Sequence, residues 1–195
     1  QMVIEVLPVM LIVLFHPELR RILEGLGQTP VMELFRSATQ GTKSADVSIM
    51  VKEVVKATYA MAEEKTGALI VFERKTNLSE TIRTGTIVDS AVTAQFLRQL
   101  FIKNTPLHDG AVVVKNNRIA AAACYLPLSN NLQLDKDLGT RHRAGIGVSE
   151  NTDCISIIVS EETGFVSVAQ NGVLKRNIKE DMLRKILLEE LTPKT

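Results

Sequence analysis

Cysteine is scarce in this chain. There are two, Cys124 and Cys154, each inside an apolar stretch and neither in a CxxC pair. No disulfide framework can be built from them, and buried free thiols in a reducing compartment are the plain reading. Two cysteines and three scattered histidines cannot assemble a zinc site. Basic residues never gather into a long run, and the formal net charge is only +1. The basic stripe of a nucleic-acid binder is therefore missing, which leaves small nucleotides as the relevant nucleotide chemistry. GxxxxGK[ST], GxGxxG after a strand, GxSxG and HExxH are all absent, so a hydrolase triad or a Rossmann cofactor site has no direct support. There is no internal repeat and no low-complexity tract.

A full membrane span is lacking too. The apolar run from Met2 to Phe15 is interrupted by Glu5 and Pro8, and spanning a bilayer takes about 20 apolar residues. It has neither the basic start nor the small-residue cleavage site of a secretory signal. Two readings stay open from the residues: a buried first helix or strand, or the tail of a transmembrane helix in a fragment that starts at Gln1. On the second reading, Arg20 and Arg21 put the rest of the chain on the cytoplasmic side.

What is present is ample for one α/β domain: 195 residues, 45% apolar and 23% charged. Pro17 and the stripe Leu19, Ile22, Leu23 and Leu26 predict a helix ending near Gly27. The stretch 28–43 reads as a linker with at most one short helix. Val47, Met50, Val51, Val54, Met61 and Ala62 keep helical spacing and predict a helix over about 46–65, with Ser44 as cap and Gly67 as stop. Ala68-Leu69-Ile70-Val71-Phe72 reads as a fully buried strand. Ser79 is placed as the cap of a short helix, Ile87-Val88 as a minimal strand, and Ser90 as the cap of a helix over about 91–102. Asn116-Asn117 between two apolar runs predicts a hairpin. Further strands are expected at 155–160, 165–169 and 173–174, with a closing helix over about 179–191. The fold expected is α/β: a single domain with a central mixed β-sheet flanked by helices on both faces.

Three polar clusters sit at strand ends or turns. Asp109-Gly110-Ala111, after His108, reads as a plain turn or as a place where a ligand approaches the backbone beside a carboxylate. Arg141-His142-Arg143, behind a capping Thr140, reads as a solvated basic turn or as a polyphosphate grip at a helix start. Gly145 and Gly147 count against that helix. Ser160-Glu161-Glu162-Thr163-Gly164 reads as a solvated acidic turn or as one carboxylate helping hold Mg²⁺ or Mn²⁺ on phosphates.

Taken in this order, the three clusters resemble the DGA motif, the RHR motif and the acidic turn of the diadenylate cyclase (DisA-N) domain family. The stretches 67–74 and Arg83-Thr84-Gly85 are similar to it as well, and Phe-His-Pro-Glu-Leu-Arg-Arg at 15–21 resembles its membrane-anchored, CdaA-type branch. One departure is Gly145, where the family's pattern has Ala. The resemblance implies residues 1–27 as the end of a transmembrane segment with a juxtamembrane helix, and 28–195 as a cytoplasmic catalytic domain. It implies a nucleotidyltransferase that condenses two ATP into cyclic di-AMP with release of two pyrophosphates, each 3′-hydroxyl attacking the other ATP's α-phosphate across a face-to-face homodimer.

Carried over, Asp109 would activate the hydroxyl or position its metal, and Arg141, His142 and Arg143 would hold phosphates. Leu69, Gly110, Ala111, Tyr125, Leu126, Thr140 and Ser160 would contact ATP, with Tyr125 and Leu126 as the adenine platform. Glu162 would ligate one Mg²⁺ or Mn²⁺ per site, with His108 as helper. The branch further implies a YbbR-domain regulator and phosphoglucosamine mutase as partners. The alternative under the same resemblance is a catalytically inactive sensor module that binds ATP or a cyclic dinucleotide.

Overall fold

The computed structural model describes residues 31–131, 135 and 138–192, with side chains from Ala45 onward. The expected membrane segment and juxtamembrane helix, 1–27, lie outside the described residues. The chain divides into two units, Gln1–Lys43 and Ser44–Thr195. Of the first, the described part is backbone from Val31 on, and it is helical. The sheet and the site both belong to the second. Among the described residues no helix is long and apolar enough to cross a membrane.

Helix α1 (Val31–Glu63) is far longer than expected, running through the presumed linker and through Ser44, the expected cap. Of the predicted stripe, Val47, Met50, Val51, Val54 and Met61 are buried along it and Ala62 is half-buried, and Val55 is buried beside them. It stops at Lys65, not at Gly67. Lys65 sits at φ 50, its N–H donates to the Ala62 carbonyl and Thr66 N–H donates to that of Met61. This is a Schellman closure with lysine in the left-handed position usually given to glycine.

Strand β1 (Ala68–Phe72) is buried at all five positions. It pairs in parallel with β3 (Ala111–Lys115) and antiparallel with β5 (Ile155–Val159). With β2 (Thr86–Ala91), β4 (Arg118–Cys124), β6 (Val166–Gln170) and β7 (Val173–Lys175) it makes one mixed sheet in the order β2-β4-β3-β1-β5-β6-β7. Alternation divides the core in two. Ala68, Ile70 and Phe72 join the cluster under α1, α3 (Ala94–Leu100) and α5 (Glu180–Leu191). Leu69 and Val71 join the cluster that includes Leu78, which caps α2 (Ser79–Thr84), and Ala144, Ile146 and Val148 of α4 (Thr140–Asn151). Helices thus cover both faces, as the pattern predicted.

The β3–β4 hairpin turns on Asn116 and Asn117, at φ 51 and 61. Ser90 does not cap a helix: it lies in β2, and the cap of α3 is Thr93, whose hydroxyl accepts from Phe96 N–H at 3.3 Å. Ser79 is the first residue of α2 rather than its cap, its N–H bonded to Asn77 Oδ1. Sheet direction and helix packing together create the site. The β1–β3 pair is parallel and β5 runs against it, so the starts of β1 and β3 meet the ends of β4 and β5 along one edge of the sheet. Helix α4 begins over that edge. It lies so close to β5 that a Cβ on Gly145 would come within 2.9 Å of Ile158 Cδ1, which gives the departure from alanine a packing reason.

Candidate active site

Asp109 and Gly110 lead into β3 against a distorted stretch of β4. Gly110 has φ 116, and a Cβ there would lie 2.8 Å from the Ala123 carbonyl carbon and the Cys124 oxygen. Facing it, Ala123 is itself left-handed at φ 54, where the β3–β4 register shifts. A bulge at this point twists the strand end and re-aims the residues beyond it. These are Tyr125, 72% exposed and tied by its N–H to Thr84 Oγ1, and Leu126. Leu69, Asp109, Gly110, Ala111, Tyr125 and Leu126 then line a cleft of about 150 Å³. Burial pushes the thiol of Cys124 on the same wall up to about 11, so it is protonated at neutral pH.

A second, larger cavity of about 570 Å³ adjoins it, walled by Thr140, Arg141, His142, Ser160, Glu162 and Arg176 among others. Thr140 and Arg141 line both. The two spaces therefore meet at the first turn of α4, where backbone N–H groups and the helix dipole favour an anion. The cap there is Gly139, with no side-chain cap hydrogen bond, and Thr140 is the first helical residue instead of the expected cap.

Arg141 is held from three sides. Its Nη1 donates to Glu161 Oε2 at 3.0 Å and its Nη2 reaches the His108 carbonyl at 3.5 Å. Beneath it lies Gly67, where a Cβ would come within 2.6 Å of Nη1 and 2.9 Å of the Glu161 carboxylate. Its Nε is buried and has no hydrogen-bond partner among the described residues. His142 is nearly buried, and that burial, with the nearby Arg176 cation second, lowers its pKa below 6.5. It is therefore a neutral hydrogen-bonding ring at pH 7, not a third cation.

Ser160 is bound into the acidic turn, its hydroxyl accepting from Thr163 N–H, and Glu162 is exposed on the cavity wall. His108 Nδ1 lies 2.6 Å from the Thr105 carbonyl. A carbonyl only accepts, so Nδ1 is the donor in this contact. The structure thus brings together all the predicted residues but two on these walls. His108 reaches the site through its carbonyl, and Arg143 gives its own carbonyl to Ser129 N–H. Neither lines the two cavities.

Sequence reasoning assigned no individual site role to Gly67, Glu161, Ser167 or Arg176. Glu161 was visible only as one half of a Glu-Glu pair whose other half drew the metal role. Ser167 had one signal, a polar residue between valines in a strand.

Known proteins resemble this chain in sequence and in fold. Residues 55–174 match the family described as DisA bacterial checkpoint controller nucleotide-binding. The chain is 48% identical over 185 residues to the cyclic di-AMP synthase CdaA of Bacillus subtilis, covering 95% of this chain and 66% of that protein. It is 45% identical to a diadenylate cyclase of Listeria monocytogenes with the same coverages, so it spans 66% of the length of both relatives. A crystal structure of DacA from Staphylococcus aureus, in a double-mutant form, superposes with a TM-score of 0.71 at 47% identity, over 72% of this chain and 94% of that one. A structure of a hypothetical membrane spanning protein from Bacillus cereus superposes at 0.64 with 46% identity, over 66% and 63%. The chain belongs to the DisA-type nucleotide-binding, or DAC, family.

Proposed function

We propose that this chain carries the catalytic domain of a diadenylate cyclase. The observation that carries the reading is the pair of adjoining cavities sharing Thr140 and Arg141, one walled by Leu69, Ala111, Tyr125 and Leu126 with a carboxylate at its mouth, the other richer in polar groups and headed by a helix N-terminus. The smaller takes adenine and ribose between Leu69, Ala111, Tyr125 and Leu126. The larger takes the triphosphate, which puts the α-phosphate beside Arg141. The names of the relatives, cyclic di-AMP synthase and diadenylate cyclase, support the same substrate.

These placements support the following chemistry. Asp109 is exposed at the cleft mouth, where its carboxylate takes the proton of the ribose 3′-hydroxyl. The freed oxygen bonds to the α-phosphorus of an ATP held by a second copy. The bond from that phosphorus to the bridging oxygen breaks, and its electron pair leaves with pyrophosphate. The same step in the other direction closes the ring. Arg141, fixed by Glu161 and the His108 carbonyl, meets the charge that develops on the α-phosphate without having to reorganise. Because Tyr125 and Leu128 on the cleft are 72% and 50% exposed, the nucleoside end opens outward, as half of a two-copy site must.

The donor set fits a phosphate-borne Mg²⁺ or Mn²⁺. Among the described residues no three His, Cys, Asp or Glu form a protein cage, and such ions take one or two carboxylates with phosphate oxygens and water. Glu162, on the wall of the larger cavity, would hold it, and the ion would draw charge from the phosphate oxygens; His108, which lines neither cavity, is not brought to that position. The run Met2–Phe15 with Arg20 and Arg21 beyond it is read as membrane-attached, which puts the domain at the cytoplasmic face. The Bacillus cereus neighbour's description as membrane spanning supports this.

The test is pyrophosphate release per subunit as a function of protein concentration. It should climb with concentration until dimers saturate; a rate per subunit that stays constant down to high dilution would contradict a reaction shared between two copies.

A further inference from the structure

Two groups on the larger cavity have no part in attack on the α-phosphate, Arg176 and Ser167. We infer that Arg176, helped by Ser167, binds the β- and γ-phosphates and takes up the charge of the departing pyrophosphate. This rests on the cyclase reading.

Position is the first argument. Thr140 and Arg141 line both cavities, whereas Ser167 and Arg176 line only the larger. With the nucleoside in the small cleft and the α-phosphate at Arg141, the phosphates beyond it fall among the residues that line the large cavity alone. The second argument is charge. Three basic residues are on that wall, Arg141, His142 and Arg176, against Glu161 and Glu162. Burial keeps His142 neutral, and Arg141 is already paired with Glu161 at 3.0 Å. Arg176 pairs with Asp135 at 3.1 Å, but both side chains are about half exposed, and such a pair is weak enough to be exchanged for a polyphosphate. A guanidinium offers two parallel donors that match phosphate oxygens.

The third argument is independent of charge. Ser167 is fully buried and its hydroxyl has no partner among the described residues. It sits opposite Ile158 in the β5–β6 ladder, on the face that carries α4, as part of the cavity wall. Buried hydroxyls are almost always satisfied, and a phosphate oxygen in the cavity would do so. In the reaction, the electron pair of the broken phosphorus–oxygen bond stays on pyrophosphate, next to Arg176. The proton from the attacking hydroxyl goes to Asp109, on the cleft side.

The experiment compares Arg176→Met, Arg176→Lys and Ser167→Ala with the parent chain in cyclic di-AMP formation from ATP and Mn²⁺, and measures inhibition by inorganic pyrophosphate and by adenosine. Arg176→Met should lower turnover and weaken pyrophosphate inhibition, each by about ten-fold or more, while adenosine inhibition stays within about two-fold. Arg176→Lys should recover part of both losses, and Ser167→Ala should weaken pyrophosphate alone by roughly three-fold. Unchanged pyrophosphate inhibition in Arg176→Met, or equal weakening of adenosine, overturns the inference. If Arg176→Met melts well below the parent, Arg176→Lys and Ser167→Ala decide by the same split. A parent chain that makes no cyclic di-AMP sinks the cyclase reading instead; pyrophosphate binding by calorimetry, parent against variants, still decides the role of Arg176.

Discussion

Gly67→Ala should damage the reaction while sparing the fold. Gly67 is buried between α1 and β1, and its φ lies outside the left-handed region, so alanine meets no backbone strain there. The added Cβ would come within 2.6 Å of Arg141 Nη1 and 2.9 Å of Glu161 Oε2. Ordinary contact begins near 3.5 Å, so the guanidinium has to retreat by roughly 1 Å. A misplacement of that size in the group proposed to hold the reacting phosphate costs on the order of 100-fold in turnover. Stability moves little. Losing the Arg141–Glu161 pair, with 22% and 49% of the two side chains exposed, costs about 0–1 kcal/mol. Replacing glycine by alanine at a compatible position gains about 0.4–1 kcal/mol through the unfolded chain. The two offset, and the melting temperature should stay within about 4 °C of the parent. Steady-state cyclic di-AMP formation and a thermal melt read both quantities. Turnover within about three-fold of the parent would refute the claim that Gly67 exists to seat Arg141. A melting temperature lowered by about 10 °C would show that the glycine serves packing instead.

Asp109→Asn keeps shape and removes the proposed base, so ATP binding by calorimetry should persist while turnover falls about 100-fold or more; near-normal turnover would remove Asp109 from its role. His142 gives a pH prediction. Burial lowers its folded pKa below 6.5, so above that value both states are neutral and the ring contributes nothing to pH dependence. As pH falls through 6.5 the unfolded chain takes the proton first, and stability is lost. The melting gap between the parent and His142→Gln should be constant above about pH 7 and move against the parent towards about pH 5. Parallel curves would mean that the imidazole is not buried in the folded chain.

Much of the sheet was legible because its signals are local. Five consecutive buried residues in β1 and an Asn-Asn turn between apolar runs depend little on distant context. The errors lie where distant parts decide. Gly67 looked like a helix stop, yet Lys65 closes α1 and the glycine answers to Arg141, 74 positions along the chain. Ser90 looked like a cap, but β2 continues through a register shift beside Asp89, at φ 43, and pairs Ser90 with Ile119. Gly145 and Gly147 argued against a helix at 140–151; close packing of Gly145 on β5 and of Gly147 on the backbone of 127–129 outweighs their poor propensity.

The site divides in the same way. Asp109 and the basic triplet stood out as ordered motifs, though their roles came from resemblance. Arg176 and Ser167 carried no such signal, because only the β5–β6–β7 meander brings them under the start of α4.

The most direct test of the account is the identity and stoichiometry of the products. Purified chain incubated with ATP and Mn²⁺ should give, by mass spectrometry and a pyrophosphate assay, one cyclic di-AMP and two pyrophosphates for every two ATP consumed. Tight ATP binding with no cyclic di-AMP, across Mg²⁺ and Mn²⁺ and across protein concentrations that span dimer formation, would contradict it and leave a nucleotide-binding module on a cyclase fold.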